Sequence, residues 1–426
     1  MMSQGQRAGG SSGILLAICY LGFVSLGLPD TLIGVAWPSV RETFGLKQSA
    51  VSWIFVGSGC SYFLSSFFAG RLLKVFNVGV LLGLSSGLVA LSGFNYGFAT
   101  VWPWFAAGAL LHGLGSGAID SGLNHFVATH FSARHMNWLH ASYSLGAMLG
   151  PIIVTACIAR AGSWRMAYVI VATTLAVLAV LFLVTRSQFG DSRSEAQSGN
   201  QKSEVPAELK EALHEPASLP PTGAKETRTI SAASALRNRV VQLHILIFFI
   251  YTGVEVAIGQ WSFTVLREAR GLDAEVAGAW VTIYWAAILA GRIIFGFVVD
   301  RISIDLLIRL SLVTAVWGAC LFAWNPFRES AAVALGLCGL GLAVIFPCLM
   351  TRTPQRMGKE IAAHAIGFQV GAAMLGAAAL PSFCGVVAQA VGLNLVASLL
   401  LGFAVGLLVL HEVLLLMAGN ALRQAD

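Results

Sequence analysis

About twelve apolar runs, most of them close to the roughly 20 residues that a helix needs to cross a bilayer, dominate this 426-residue chain. They begin near Ile14, Val51, Val80, Val101, Asn137 and Trp164, and after a polar gap resume near Val241, Val276, Leu306, Ala331, Ala362 and Leu393. Hydrocarbon offers the backbone no hydrogen-bond partners, so runs of this length must fold as helices. The expectation is an all-α membrane protein of twelve transmembrane helices in two pseudo-symmetric six-helix bundles. Charged residues make up only 11% of the chain, against about 25% in soluble domains. The net charge of +6 is spread over short loops. No basic stripe for phosphate tracking is present, so nucleic acid is not an expected partner.

The runs divide the chain into an N-terminal segment (1–13), a first bundle (14–184), a linker (185–238), a second bundle (239–417) and a C-terminal segment (418–426). The linker is rich in Ser, Glu, Lys, Gln and Pro and lacks apolar periodicity, the composition of a disordered tether. Lys and Arg accumulate on the side of the linker, at Arg71, Lys74, Arg134, Arg301, Arg309, Arg352, Arg356 and Lys359. Cytoplasmic loops carry this bias, so both termini are expected inside, in a plasma (bacterial inner) membrane. The first run is too long for a signal-peptide core. Seven cysteines stand singly without metal-ligand spacing; no metal and no cofactor is expected.

A repeat links the halves. Gly27 and Gly253, Gly70 and Gly296, Gly113 and Gly339, Gly115 and Gly341, and Gly150 and Gly376 each differ by 226. Corresponding helices then run in the same direction, related by an axis along the membrane normal.

Acidic residues inside the runs are the candidates for chemistry. Asp120 lies in the middle of the fourth run, where an ionised Asp costs about 3 kcal/mol on insertion scales and normally faces a wet cavity. Asn124 follows at i+4 on the same face. Asp30 lies in the first run and Glu255 in the seventh, beside Tyr251. Asn137, His140 and Ser144 form one polar stripe on the fifth. Gln260, Trp261, Tyr284, Trp285 and Gln369 complete the set. Each has a plainer alternative: a bracing role for Asp120, a hydrogen-bonded structural role for His140, interfacial anchoring for Gln260 and Trp261. Burial favours the neutral form of any carboxyl group, which is what a proton carrier exploits. Apart from Arg292, no Lys or Arg stands mid-run. That argues against an anionic cargo and for a neutral polyol, although the same groups also suit an amphipathic cation.

Gly291-Arg292-Ile293-Ile294-Phe295-Gly296-Phe297-Val298-Val299-Asp300-Arg301 resembles the loop motif of the major facilitator superfamily. A reduced first copy stands at Gly70-Arg71-Leu72-Leu73-Lys74, with Lys74 where the family usually has Asp. The resemblance implies that Gly70, Arg71, Arg292, Gly296, Asp300 and Arg301 gate the cytoplasmic side, Gly296 by permitting close helix approach. Within the superfamily, Asp120 to Phe126 looks like the acid-x-x-x-Asn-Pro-Phe run of the fucose–galactose–glucose:proton symporters and sodium-dependent glucose transporters, with His125 for the proline. Asn137-Trp138-Leu139-His140 looks like their Asn-x-x-Gln, and Tyr251 to Glu255 with Trp261-Ser262 resembles their seventh helix. Alignment on Pro38 to Phe44 puts their first-helix acid at Gly34, one turn from Asp30.

What this implies is a monomeric secondary transporter, a symporter that takes up a neutral sugar or similar small molecule by alternating access, coupled to a proton or to sodium. A proton-driven exporter of amphipathic cations or lipids is the alternative, and a transport-inactive membrane sensor signalling through the linker is the second. An enzyme is not expected, since no nucleophile elbow or P-loop is present. Deleting most of residues 190–230 is expected to leave uptake within about twofold of the parent; loss of uptake with intact expression would favour the sensor.

Overall fold

The computed structural model describes residues 5–131, 133–189, 231–299 and 301–423. Most of the expected linker (190–230), the chain ends and Asp300 lie outside the described residues, as do Gly70, Lys74 and Asn137 beyond their helical backbone. Among the described residues all regular structure is helical. The first half comprises α1 (Gly5–Asp30), α2 (Leu32–Phe44), α3 (Ser52–Val75), α4 (Val78–Phe98), α5 (Trp102–His130), α6 (Ala133–Ala161) and α7 (Trp164–Val184). The second comprises the short α8 (Ala232–Arg237), then α9 (Arg239–Thr264), α10 (Ala274–Val298), α11 (Ile304–Trp324), α12 (Ser330–Leu342), α13 (Ile345–Met357), α14 (Lys359–Ala390) and α15 (Asn394–Arg423). Local chemistry punctuates them: Asn77 caps α4 by accepting from the Val80 N–H at 2.8 Å, and Gly162 (φ 61°) turns the chain between α6 and α7.

Among the described residues, eleven spans are long and apolar enough to cross a membrane. The twelfth is α5, whose 29 residues suffice in length but whose middle carries His112, Asp120 and Asn124. Two spans are broken. α1 and α2 form one span interrupted at Thr31, and α12 and α13 form another interrupted around Val344.

The 226-residue repeat has a steric basis. A Cβ on Gly113 would lie 2.1 Å from the Ser58 carbonyl oxygen of α3, and one on Gly339 would lie 2.2 Å from that of Tyr284 on α10. Gly115 meets the Ser85 carbonyl of α4 at 2.6 Å, as Gly341 meets that of Ser311 on α11. In each half the same glycines let the fourth helix touch the second and third, the close contact by which membrane helices associate. Gly296 departs from expectation: a Cβ there would meet nothing within 4 Å. It lies near the end of α10, and among the described residues nothing approaches it closely.

Counted over the described residues, twelve crossings place Gly5 and Arg423 on one face, the terminal face. The halves meet near the opposite face. Gly34 of α2 sits against the Gly259 carbonyl of α9, where a Cβ would approach to 2.7 Å, and Gly278 of α10 sits against Thr155 of α6. Beyond them lies a polar latch. Glu268, on a π-helical turn (Val265–Ala269), accepts from Arg41 Nη2 at 2.9 Å and from Gln48 Nε2 at 2.8 Å. Gln48 in turn accepts from the buried Trp37 indole at 3.0 Å, and its backbone N–H donates to Gln389 at 2.9 Å. Partly exposed pairs of this kind contribute about 0–1 kcal/mol each, enough to bias two arrangements of similar energy. Glu268→Gln is therefore expected to open this face more often. A cysteine placed at Ile33 in a cysteine-free background should react with an impermeant maleimide added on this face about two to five times faster; an unchanged rate would remove the latch from gating.

Candidate functional site: a charged cavity between the halves

A cavity of about 1080 Å³ separates the two bundles, at the upper end of the roughly 300–1,000 Å³ of small-ligand sites. Its walls come from both broken spans and from α3, α4, α5, α6, α7, α9, α10 and α14. Towards the terminal face it reaches Phe131 and Val299, just past the ends of α5 and α10; in the other direction it is bounded between the halves by Gly34 and Gln260 and extends within the first half to Tyr96 and Tyr168.

Asp120 points into this cavity from α5. Its Oδ2 accepts from the Tyr62 hydroxyl at 2.6 Å and its Oδ1 from Asn124 Nδ2 at 2.9 Å. The glycines make this reach possible: a Cβ on Gly117 would lie 2.4 Å from the Tyr62 carbonyl oxygen, so only a glycine lets α3 bring its tyrosine so near. Asp30 closes α1 at the break in the first span. Its Oδ1 lies 2.8 Å from His112 Nε2, and its Oδ2 accepts from the Tyr143 hydroxyl at 2.9 Å. Thr31, the residue in the break, donates to the Ala147 carbonyl at 3.0 Å and so fixes the kink to α6.

Glu255 faces the cavity from α9. The Tyr251 hydroxyl donates to its Oε2, and Arg292 Nη2 stands 3.6 Å from its Oε1. Arg292, expected at the loop gate, thus lines the cavity and is the counter-charge of Glu255. His140 also lines the cavity, between the rings of Phe23 (5.5 Å) and Phe346 (6.3 Å). Gln260 and Trp285 line it with buried N–H groups, Nε2 and Nε1, that find no protein acceptor among the described residues. An unmade buried hydrogen bond costs about 1–3 kcal/mol, so these donors suit a ligand oxygen.

Other expected residues lie elsewhere. Trp261 is fully buried and donates to the Pro381 carbonyl at 2.9 Å, bracing α9 against α14 away from the cavity wall. Tyr284 stands behind the wall, donating to the Glu255 backbone carbonyl at 2.8 Å. Gln369 is fully buried among His244 and Thr353, at 3.2 Å from each. Arg71 is exposed over the Phe68 ring, and Arg301 is exposed. Sequence reasoning missed Tyr62, His112 and Tyr143. His112 had a signal, since His112, Ser116, Asp120 and Asn124 recur every four residues along one face; the tyrosines join through tertiary contact alone.

A family model described as Major Facilitator Superfamily matches residues 19–381. The chain belongs to this superfamily and is an integral membrane transporter rather than an enzyme. It is 24% identical over 401 residues to Bypass of stop codon protein 6 of Saccharomyces cerevisiae, covering 88% of this chain and 77% of that one. It is 25% identical to the human Sodium-dependent glucose transporter 1 (85% and 71% covered) and 25% identical to the Glucose/mannose transporter GlcP of Bacillus subtilis (78% of each). A crystal structure of the nucleoside transporter NupG superposes with a TM-score of 0.72 over 93% of this chain and 98% of that one at 13% identity, which shows the shared fold.

The tight seat of Gly117 has a measurable consequence. Gly117→Val should lower the thermal midpoint of the purified protein by the equivalent of about 1–3 kcal/mol, the usual cost of overpacking. Gly87→Val, where a Cβ meets nothing within 4 Å, should shift it little; equal shifts would show that the α3–α5 contact is not tight.

Proposed function

We propose that the chain is a proton-coupled sugar symporter that moves a neutral monosaccharide by alternating access. One observation carries the coupling: Asp120 is the cavity carboxylate that, among the described residues, has no Lys, Arg or His side chain within ion-pairing distance, its partners being the Tyr62 hydroxyl and the Asn124 amide. Glu255 has the Arg292 guanidinium at 3.6 Å, and Asp30 has the His112 imidazole at 2.8 Å. A carboxylate without a counter-charge is the one that a proton neutralises at least cost.

The cargo follows from the rest of the wall and from the relatives. Unpaired amide and indole N–H groups, tyrosines and an Arg–Glu pair with no excess positive charge suit a molecule covered in hydroxyls. Two relatives named as glucose transporters support the same class. With both termini and the linker cytoplasmic, in the plasma membrane, the cavity opens to the cytoplasm. The bundles 14–184 and 239–417 then rock about it within a single chain.

The test is glucose uptake into proteoliposomes under an imposed pH gradient, a sodium gradient, or neither. Accumulation driven by the pH gradient is expected. Asp120→Asn should lower it at least tenfold while leaving counterflow exchange within a few fold, since exchange needs no net proton movement. Accumulation driven by sodium alone, or unaltered in Asp120→Asn, would overturn the proton reading. Dye export in place of glucose uptake would overturn the cargo.

A further inference from the structure

Arg292 is placed in a way that neutralising Glu255 does not require. Its Nη1 donates to Ser144 Oγ at 2.7 Å and to the His140 carbonyl at 3.0 Å, both on α6 of the opposite half. Its Nε stands 3.5 Å from the Ala343 carbonyl, in the break between α12 and α13. The guanidinium is largely buried, with the side chain 12% exposed. One side chain on α10 therefore touches the site carboxylate, the broken span and the other bundle. The contacts are unequal. Charge-assisted N–H···O bonds are normally about 2.7–2.9 Å long; the bond across the halves meets that value, whereas the approach to Glu255 Oε1 at 3.6 Å does not. Oε1 is thus left open on the cavity side while Tyr251 serves Oε2.

We propose that Arg292 is a positioning residue that ties the two halves together in this arrangement and reads the occupancy of Glu255. The geometry is competitive, because closing the 3.6 Å gap to a full ion pair draws the guanidinium away from Ser144 and the His140 carbonyl. A ligand hydroxyl donating to Oε1 satisfies the carboxylate in place of the arginine and leaves the guanidinium on α6. Without that hydroxyl Glu255 competes with Ser144 and the His140 carbonyl for the guanidinium and loosens the tie, so the empty cavity exchanges its open face faster than the occupied one. The planar fork is needed for this division; an ammonium point charge can pair with one side but not bridge both. The ligand-dependent part rests on the sugar reading above; the tie itself does not.

The test uses the full chain in sealed vesicles, with the cysteine reporter at Ile33 and impermeant maleimide added on the face opposite the chain ends. Ser144→Ala removes a cross-half acceptor without touching the Arg–Glu pair, and Arg292→Lys keeps the charge but not the fork. Both are expected to speed labelling at least threefold without ligand, with thermal midpoints that show intact folding. Glucose should slow labelling in the parent and have less effect in either variant. Parent-like labelling in both variants would overturn the tie, whatever glucose does. Faster labelling in the variants with no glucose effect in the parent would keep the tie and discard the sugar. A Glu255→Gln/Arg292→Gln double variant that restored parent-like labelling would reduce Arg292 to charge balance and overturn the proposal.

Discussion

A carboxylate placed at membrane depth must be given hydrogen-bond donors, and this requirement organises the molecule. No single helix meets it. Asp30 draws on α5 and α6, Asp120 on α3 and its own helix, and Glu255 on its own helix and α10. The donors that come from a neighbouring helix arrive because the helices pack at distances that a side chain would forbid, as at Gly113 and Gly117 in the first half and at Gly339 in the second. The stability of the bundles and the chemistry of the cavity are therefore one problem, and the small residues that solve it lie outside the cavity wall. A loss at Gly117 is felt at Asp120 through Tyr62.

The two halves share a plan but divide its use. The first half holds two carboxylates, and the second holds one with an arginine beside it. The span breaks do not correspond either, since one falls in the first span and the other in the tenth. At the break in the tenth span the Leu342 carbonyl accepts from the Tyr251 hydroxyl at 3.2 Å, so the residue that serves Glu255 also holds the kink. A ligand that displaces Tyr251 or Arg292 acts on a bend as well as on a charge, the kind of two-state element through which a site can move a bundle.

The sequence was informative where a single side chain carries its own consequence. Spanning length gave the helices, the 226-residue spacing paired glycines that sit at matching helix contacts (Gly113 with Gly339, Gly115 with Gly341), and the cost of buried charge pointed to Asp120 and Glu255, both on the cavity wall. It was silent where two remote segments must meet. Tyr62 stands 58 residues from the carboxylate it serves, and Tyr143 stands 113 from Asp30. Motif logic was weakest at the edges. Arg292 reads as part of a loop signature, yet it sits two turns inside α10 and turns inward. Trp261 and Gln369 have the chemistry of ligands, but their polar atoms are used to join α9 to α14 and to fasten His244 and Thr353.

The glycine at position 34 carries one more consequence. The resemblance to sugar symporters implies an acid at this position, whereas here the backbone of α2 lies directly against that of α9, with the acid one turn away at Asp30. A seal made of main chain has no titratable atom, so loading or unloading a proton cannot unfasten it locally. The carboxylate and the main-chain seal thereby occupy different rungs of one broken span, and a change at either must pass the kink at Thr31 to reach the other.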